Sequence, residues 1–160
     1  MRGNFEQAEF HYRQVTDSSR VFATPTRHAV QINLCILLIE AQRYKEAIAQ
    51  LEGCRVELQT KKRHGLLGHV HLGLAACYAV LRRWSSFDAE LENSNETITA
   101  TRGVDVDMAR MAQRGGDYCA EAGEIDRARK AYALAISQWE ALGRNEDTLN
   151  AQSRLESLNK

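Results

Sequence analysis

One proline, Pro25, is all that a chain of 160 residues contains, so the residue that most effectively breaks helices is almost missing. Neither sign of charge prevails: Lys and Arg total 21, as do Asp and Glu. That balance excludes long-range attraction to nucleic acid or to an anionic membrane as the main driving force for binding, and neither is expected as a partner. No run reaches the roughly 18 consecutive apolar residues of a membrane helix, and the opening Met1-Arg2-Gly3-Asn4-Phe5-Glu6 lacks the apolar core of an export leader. The four cysteines, Cys35, Cys54, Cys77 and Cys119, form no C-x-x-C pair and each sits in an apolar helical pattern, which predicts reduced, packed thiols in a cytoplasmic protein. H-E-x-x-H, the nucleophile elbow and a phosphate-cradling glycine loop are all missing. No enzyme, cofactor or metal is expected.

What is present is a repeat. Gly3-Asn4-Phe5-Glu6-Gln7-Ala8, Gln42-Arg43-Tyr44-Lys45-Glu46-Ala47, Arg82-Arg83-Trp84-Ser85-Ser86-Phe87 and Gly123-Glu124-Ile125-Asp126-Arg127-Ala128 share one register, with anchors Phe5, Tyr44, Trp84 and Ile125 spaced 39, 40 and 41 apart. Three residues on stand Ala8, Ala47, Phe87 and Ala128; seven on, Tyr12, Leu51, Leu91 and Tyr132; ten on, Val15, Cys54, Ser94 and Ala135. Offsets of 0, 3, 7 and 10 lie on one helix face. Nine residues before the later anchors stand Cys35, Ala75 and Gly116, and six before them Leu38, Tyr78 and Cys119, so a second helix precedes each anchor. Short turns at Ala41-Gln42-Arg43, Leu81-Arg82-Arg83 and Ala122-Gly123 make each pair antiparallel. Thr24-Pro25, Asp105 and Asn145 read as helix starts, and Gly65, Gly103 and Gly143 as unit ends, with Gly53 inside a helix. Eight helices are predicted, over 3–19, 25–41, 44–60, 66–81, 84–101, 104–121, 124–142 and 146–158.

The small residue of the first helix (Cys35, Ala75, Gly116), the larger one three later (Leu38, Tyr78, Cys119), and the Ala with a bulky residue four on in the second helix (Ala8/Tyr12, Ala47/Leu51, Ala128/Tyr132) resemble the tetratricopeptide repeat over nearly the whole chain. The third unit departs most, with Phe87 and Ser94 where small apolar residues are usual. A period near 40 is similar to the long-repeat branch found in MalT-like bacterial regulators and in the tails of bacterial signalling kinases or ATPases. The resemblance implies an all-α, right-handed superhelical solenoid of antiparallel pairs. Its parts are a half repeat over 1–20, repeats over 24–60, 64–101 and 104–142, and a capping helix over 146–158. Because the first unit has no first helix, the chain is expected to be a fragment of a longer protein or to borrow a helix from another chain.

In such a superhelix the first helices line a concave groove. The register puts Ala29, Ile32, Ile36 and Ile39 there from the second unit, His69, Leu72, Ala76 and Ala79 from the third, and Arg110, Gln113, Asp117 and Ala120 from the fourth. The implied function is capture of a peptide or helix from a protein partner, with Ile32, Ile36 and Leu72 as apolar anchors and Arg110, Gln113 and Asp117 selecting polar groups. Ile32, Ile36, Leu72 and Ala76 cannot donate hydrogen bonds, so capture of C-terminal carboxylates is not expected. The alternative is a structural or self-associating segment of a regulator or kinase, dimerising through helix 3–19.

Val30 to Ile39 make the helix over 25–41 hydrophobic nearly all round, the mark of burial on every side. Of the histidines close in sequence, His64, His69 and His71, the last two point to different helix faces, so a surface or groove position is expected rather than a metal site. Lys61-Lys62-Arg63 reads as a solvated helix end. Arg110, Arg114, Asp117, Glu121 and Glu124 read as surface ion pairs, and Gly115-Gly116 as a close helix contact. The sequon Asn95-Glu96-Thr97 falls inside a predicted helix.

Overall fold

The structure, a computed structural model, describes residues 2–17 and 24–159. These form eight α-helices and no strand: α1 (Arg2–Asp17), α2 (Thr24–Glu40), α3 (Tyr44–Thr60), α4 (Leu67–Val80), α5 (Trp84–Thr101), α6 (Val106–Glu121), α7 (Ile125–Ala141) and α8 (Asn145–Ser157), with a 3₁₀ turn at His64–Leu66 before α4. Every described helix lies within two residues of its predicted span. The last two residues of the predicted first helix, and the Thr24-Pro25 cap side chains, lie outside the described ones. Each helix packs on the next except α5, which does not pack closely on α6; α4 packs on α6 instead, and also on α2.

The same turn closes five of the helices. After α2, the amide of Gln42 bonds the carbonyl of Ile39 and that of Arg43 bonds Leu38, at 3.0 and 2.8 Å. Identical pairs of bonds recur at Lys62 and Arg63, Arg82 and Arg83, Gly123 and Glu124, and Gly143 and Arg144. This is the Schellman arrangement, which satisfies the last carbonyls of a helix by placing one residue in the left-handed region. Glycine fills that position at Gly123 (φ 80°) and Gly143 (φ 66°), but Gln42, Lys62 and Arg82 adopt it with side chains, at φ 60°, 53° and 54°. A non-glycine residue there costs about 1 kcal/mol, so Arg82→Gly should raise stability by about 0.5–1 kcal/mol in urea unfolding, whereas Gly123→Ala should lower it.

At the start of α6 the Asp105 side chain accepts a 2.7 Å bond from the amide of Asp107, as its cap reading requires. Asn145 is not a cap: it is the first residue of α8, after Arg144, whose side chain makes no capping bond.

The core is centred on α4, where twelve of fourteen residues are buried. Sequence reasoning assigned that position to α2, which instead leaves Asn33 exposed and Ile36 and Leu37 half-buried. The reason lies in two glycines of α4. A Cβ on Gly73 would meet Leu51 at 3.0 Å and the Met111 thioether at 3.5 Å, and one on Gly68 would meet Met108 at 3.0 Å. Both α3 and α6 therefore close in on α4 and cover it. The divergent third unit is tightly packed: Phe87 and Ser94 are fully buried. Room for the Phe87 ring comes from Gly115, whose missing Cβ would sit 3.5 Å from it. Gly116 is needed more strictly, because a Cβ there would meet the Tyr132 ring at 2.6 Å. All four cysteines are free and fully buried; burial pushes the Cys54, Cys77 and Cys119 thiols up to about 12 and also raises Cys35.

Ion pairs join alternate helices. Glu9, Arg13, Arg43 and Glu46 form an alternating quartet between α1 and α3, with Arg43 bonding Glu9 at 2.7 Å. Arg55 of α3 bonds Glu90 of α5 at 2.8 Å. Arg127 of α7 grips Asp88 of α5 through two bonds of 2.9 and 2.8 Å while lying 5.6 Å from the centre of the Trp84 ring. Arg154 of α8 reaches Asp117 of α6 at 2.5 Å.

In the first quartet, burial raises the Glu9 carboxyl, but the bonds and charges of Arg13 and Arg43 outweigh it and hold the group below its ordinary value. Glu46 is lowered first by the Arg13 bond and further by Arg43, against burial. Groups depressed on folding stabilise the folded state above their unfolded values, near 4.5, and lose that contribution as the pH falls through the folded ones. The melting temperature should therefore drop on acidification below about pH 4.5, and the drop should be smaller in a Glu9→Gln/Glu46→Gln variant.

Candidate functional site

The amphipathic build of α6 positions the site. Met108, Ala109, Met111, Ala112, Gly115, Gly116 and Cys119 turn inward at helical spacing, which leaves Asp107, Arg110, Gln113, Arg114 and Asp117 along the other side. That side forms one wall of a cleft of about 320 Å³. Ile36, Ile39 and Glu40 of α2 form the opposite wall, Met111 and Trp139 contribute apolar surface, and Asp147 of α8 closes one end. A shallower hollow of about 230 Å³ shares Ile36, Glu40 and Asp107 and continues to Tyr12 of α1 and to Asn33 and Leu37.

A bonded chain holds the α6, α7 and α8 side rigid. The Trp139 indole N–H donates to Gln113 Oε1 at 3.0 Å, and Gln113 Nε2 donates to Asn150 at 3.1 Å. Arg154 donates to Asn150 at 2.9 Å and to Asp117 at 2.5 Å, and the Tyr132 hydroxyl donates to the same Asp117 oxygen at 2.8 Å. Burial, and then the Asp117 carboxylate that accepts its proton, raise the Tyr132 phenol. Across α3 and α6 the hydroxyls of Tyr44 and Tyr118 lie 3.2 Å apart.

Of the residues that the register placed in a groove, Ile36, Ile39, Arg110, Gln113 and Asp117 line this cleft. Ile32, Leu72 and Ala76 are not in its lining and, at 3%, 1% and 0% exposed, belong to the core, as does Ala79; Ile39 is a core residue too, 2% exposed, although it lines the cleft. Met111 lies over Gly73 and occupies the space in which α4 would have lined a groove. Ala29 is half-buried and Ala120 partly buried, both outside the lining of the cleft. His69 turns to Asp105, with Nε2 3.1 Å from Oδ1. The donor-free surface that argued against carboxylate capture is thus largely core, and the cleft itself carries Arg110, Gln113 and Arg114. Glu40, Asp107, Met111, Arg114, Trp139 and Asp147 were missed. Arg114 had a usable signal, being four residues after Arg110 on the same stripe; Trp139 had none, because it comes from a second helix.

Two histidines are buried, and one of them, His71, corrects the expectation of a surface or groove position. His71 is 5% exposed, with Nδ1 2.6 Å from Glu90, itself 6% exposed. Glu90 also accepts from Arg55, which bonds Glu52, and Glu52 accepts from the Tyr78 hydroxyl at 3.0 Å. His28 is fully buried, 3.0 Å from Glu57. These carboxylates come from other helices, so no local spacing reveals them. Among the described residues no three His, Cys, Asp or Glu side chains are grouped to hold a metal ion, and no helix is long and apolar enough to cross a membrane. No protein-family model matches the chain, and no characterised protein matches it.

Proposed function

We propose that the chain is a non-enzymatic interaction scaffold of tetratricopeptide type, a right-handed superhelical stack of helix pairs, which binds a peptide or helix of a protein partner in the cleft between α2 and α6. The observation that carries this reading is the cleft, where apolar Ile36, Ile39, Met111 and Trp139 meet charged side chains on two facing helices. The 40-residue register, the recurring turn and the ion pairs between alternate helices support the stacked arrangement. Rigid walls suit capture of a flexible segment, since the scaffold loses little freedom on binding.

Selection of phage-displayed random twelve-residue peptides on the full chain provides the test. Binders should be recovered, and Ile36→Glu, which puts a charge on the half-buried apolar wall, should weaken them at least tenfold while far-UV circular dichroism stays unchanged. Binders indifferent to Ile36→Glu would place the binding surface elsewhere.

A second reading, self-association through α1 as part of a larger regulator or kinase, draws on one observation: Phe10 is 57% exposed on that helix. Light scattering over a range of concentrations separates the two, since Phe10→Ser should abolish any dimer without touching peptide capture.

A further inference from the structure

We propose that the cleft selects a segment of mixed charge, with an apolar side chain seated against Ile36, Met111 and Trp139, a cation facing Glu40 and an anion facing Arg114. This rests on the cleft being a peptide site, and it adds which peptides enter. Asp107 is matched by Arg110 at 3.6 Å, Asp117 by Arg154 at 2.5 Å, and Asp147 by Arg144 at 2.9 Å. Gln113 uses its carbonyl on Trp139 and its amide on Asn150. Glu40 and Arg114 line the same cleft, and among the described residues neither has an ion-pair partner. Arg114 is half-buried already, and its charge acts on the Tyr118 phenol.

An occupant covering the cleft removes water from both charges. Loss of hydration without a replacement partner is costly, so a segment that brings no opposite charges is rejected and one that brings both is favoured. Since Glu40 stands on α2 and Arg114 on α6, the two charges sit on different walls. The order of cation and anion along the segment therefore sets the direction in which it lies.

The peptide selection described above, repeated on Glu40→Arg and Arg114→Glu, tests this. Neither variant removes an ion pair, and circular dichroism verifies that both fold. Peptides selected on the unaltered chain should carry Lys or Arg on one side of an apolar residue and Asp or Glu on the other. A synthetic copy of the best one, followed by fluorescence anisotropy, should bind about tenfold more weakly to each variant. Reversing the peptide's basic residue should restore binding to Glu40→Arg, and reversing its acidic residue should restore it to Arg114→Glu. Binding lost in Ile36→Glu but unaffected by either charge reversal would overturn the charge rule and leave the cleft as the site. Binding unaffected by Ile36→Glu, or no recovered peptide, would overturn both.

Discussion

Leu72→Glu should abolish folding, whereas Ile36→Glu should leave the helices intact. Truncating a fully buried leucine costs about 2–5 kcal/mol, and enclosing a carboxylate among apolar groups adds several more. Leu72 is 1% exposed on α4, the helix with the most buried residues, so no side-chain rotation reaches water. A total stability of about 5–15 kcal/mol cannot absorb that loss. Circular dichroism should show a loss of most helical signal at 25 °C in Leu72→Glu and a near-native melt in Ile36→Glu. A native melt for Leu72→Glu would show that α4 is not covered by α6 as described.

The second large effect belongs to Glu90. Its carboxylate serves His71 at 2.6 Å and Arg55 at 2.8 Å inside the packing of α3, α4 and α5. Glu90→Ala removes the acceptor of both and leaves a cavity beside them, and breaking a buried pair in this way costs about 3–5 kcal/mol. Glu90→Gln retains an acceptor and should lose less. Arg129→Ala, which removes an exposed pair with Asp126, should change stability by less than about 0.5 kcal/mol. Urea unfolding of the three variants measures the order directly. Equal, small effects for Glu90→Ala and Arg129→Ala would mean that the buried network contributes nothing.

The contrast between these residues shows where local reading stops. Leu72 and Ile36 are both large, apolar and placed by one periodicity on corresponding faces of corresponding helices. Only the glycine of α4 that admits Met111 separates them, and a glycine in sequence does not say which neighbour it admits. His71 and Glu90 carried half a signal each, since a polar residue inside an apolar stripe must have a partner. Naming that partner required the α4–α5 packing. Phe87 looked like a misfit because its compensation, Gly115, lies on another helix.

The sequence by itself determined the number of helices, their spans and the inward face of most of them, because helical periodicity, turns and capping are interactions within a few residues. It also determined that thiols and alanines at repeat positions pack inside. Only the tertiary structure decided that α4 rather than α2 is the covered helix, that the cleft joins α2 to α6, α7 and α8, and that Glu40 and Arg114 are its unmatched charges. Those outcomes depend on which side chains meet across helices far apart in the chain, Glu40 and Arg114 being 74 residues apart, and periodicity within one helix is the same whichever partner it meets.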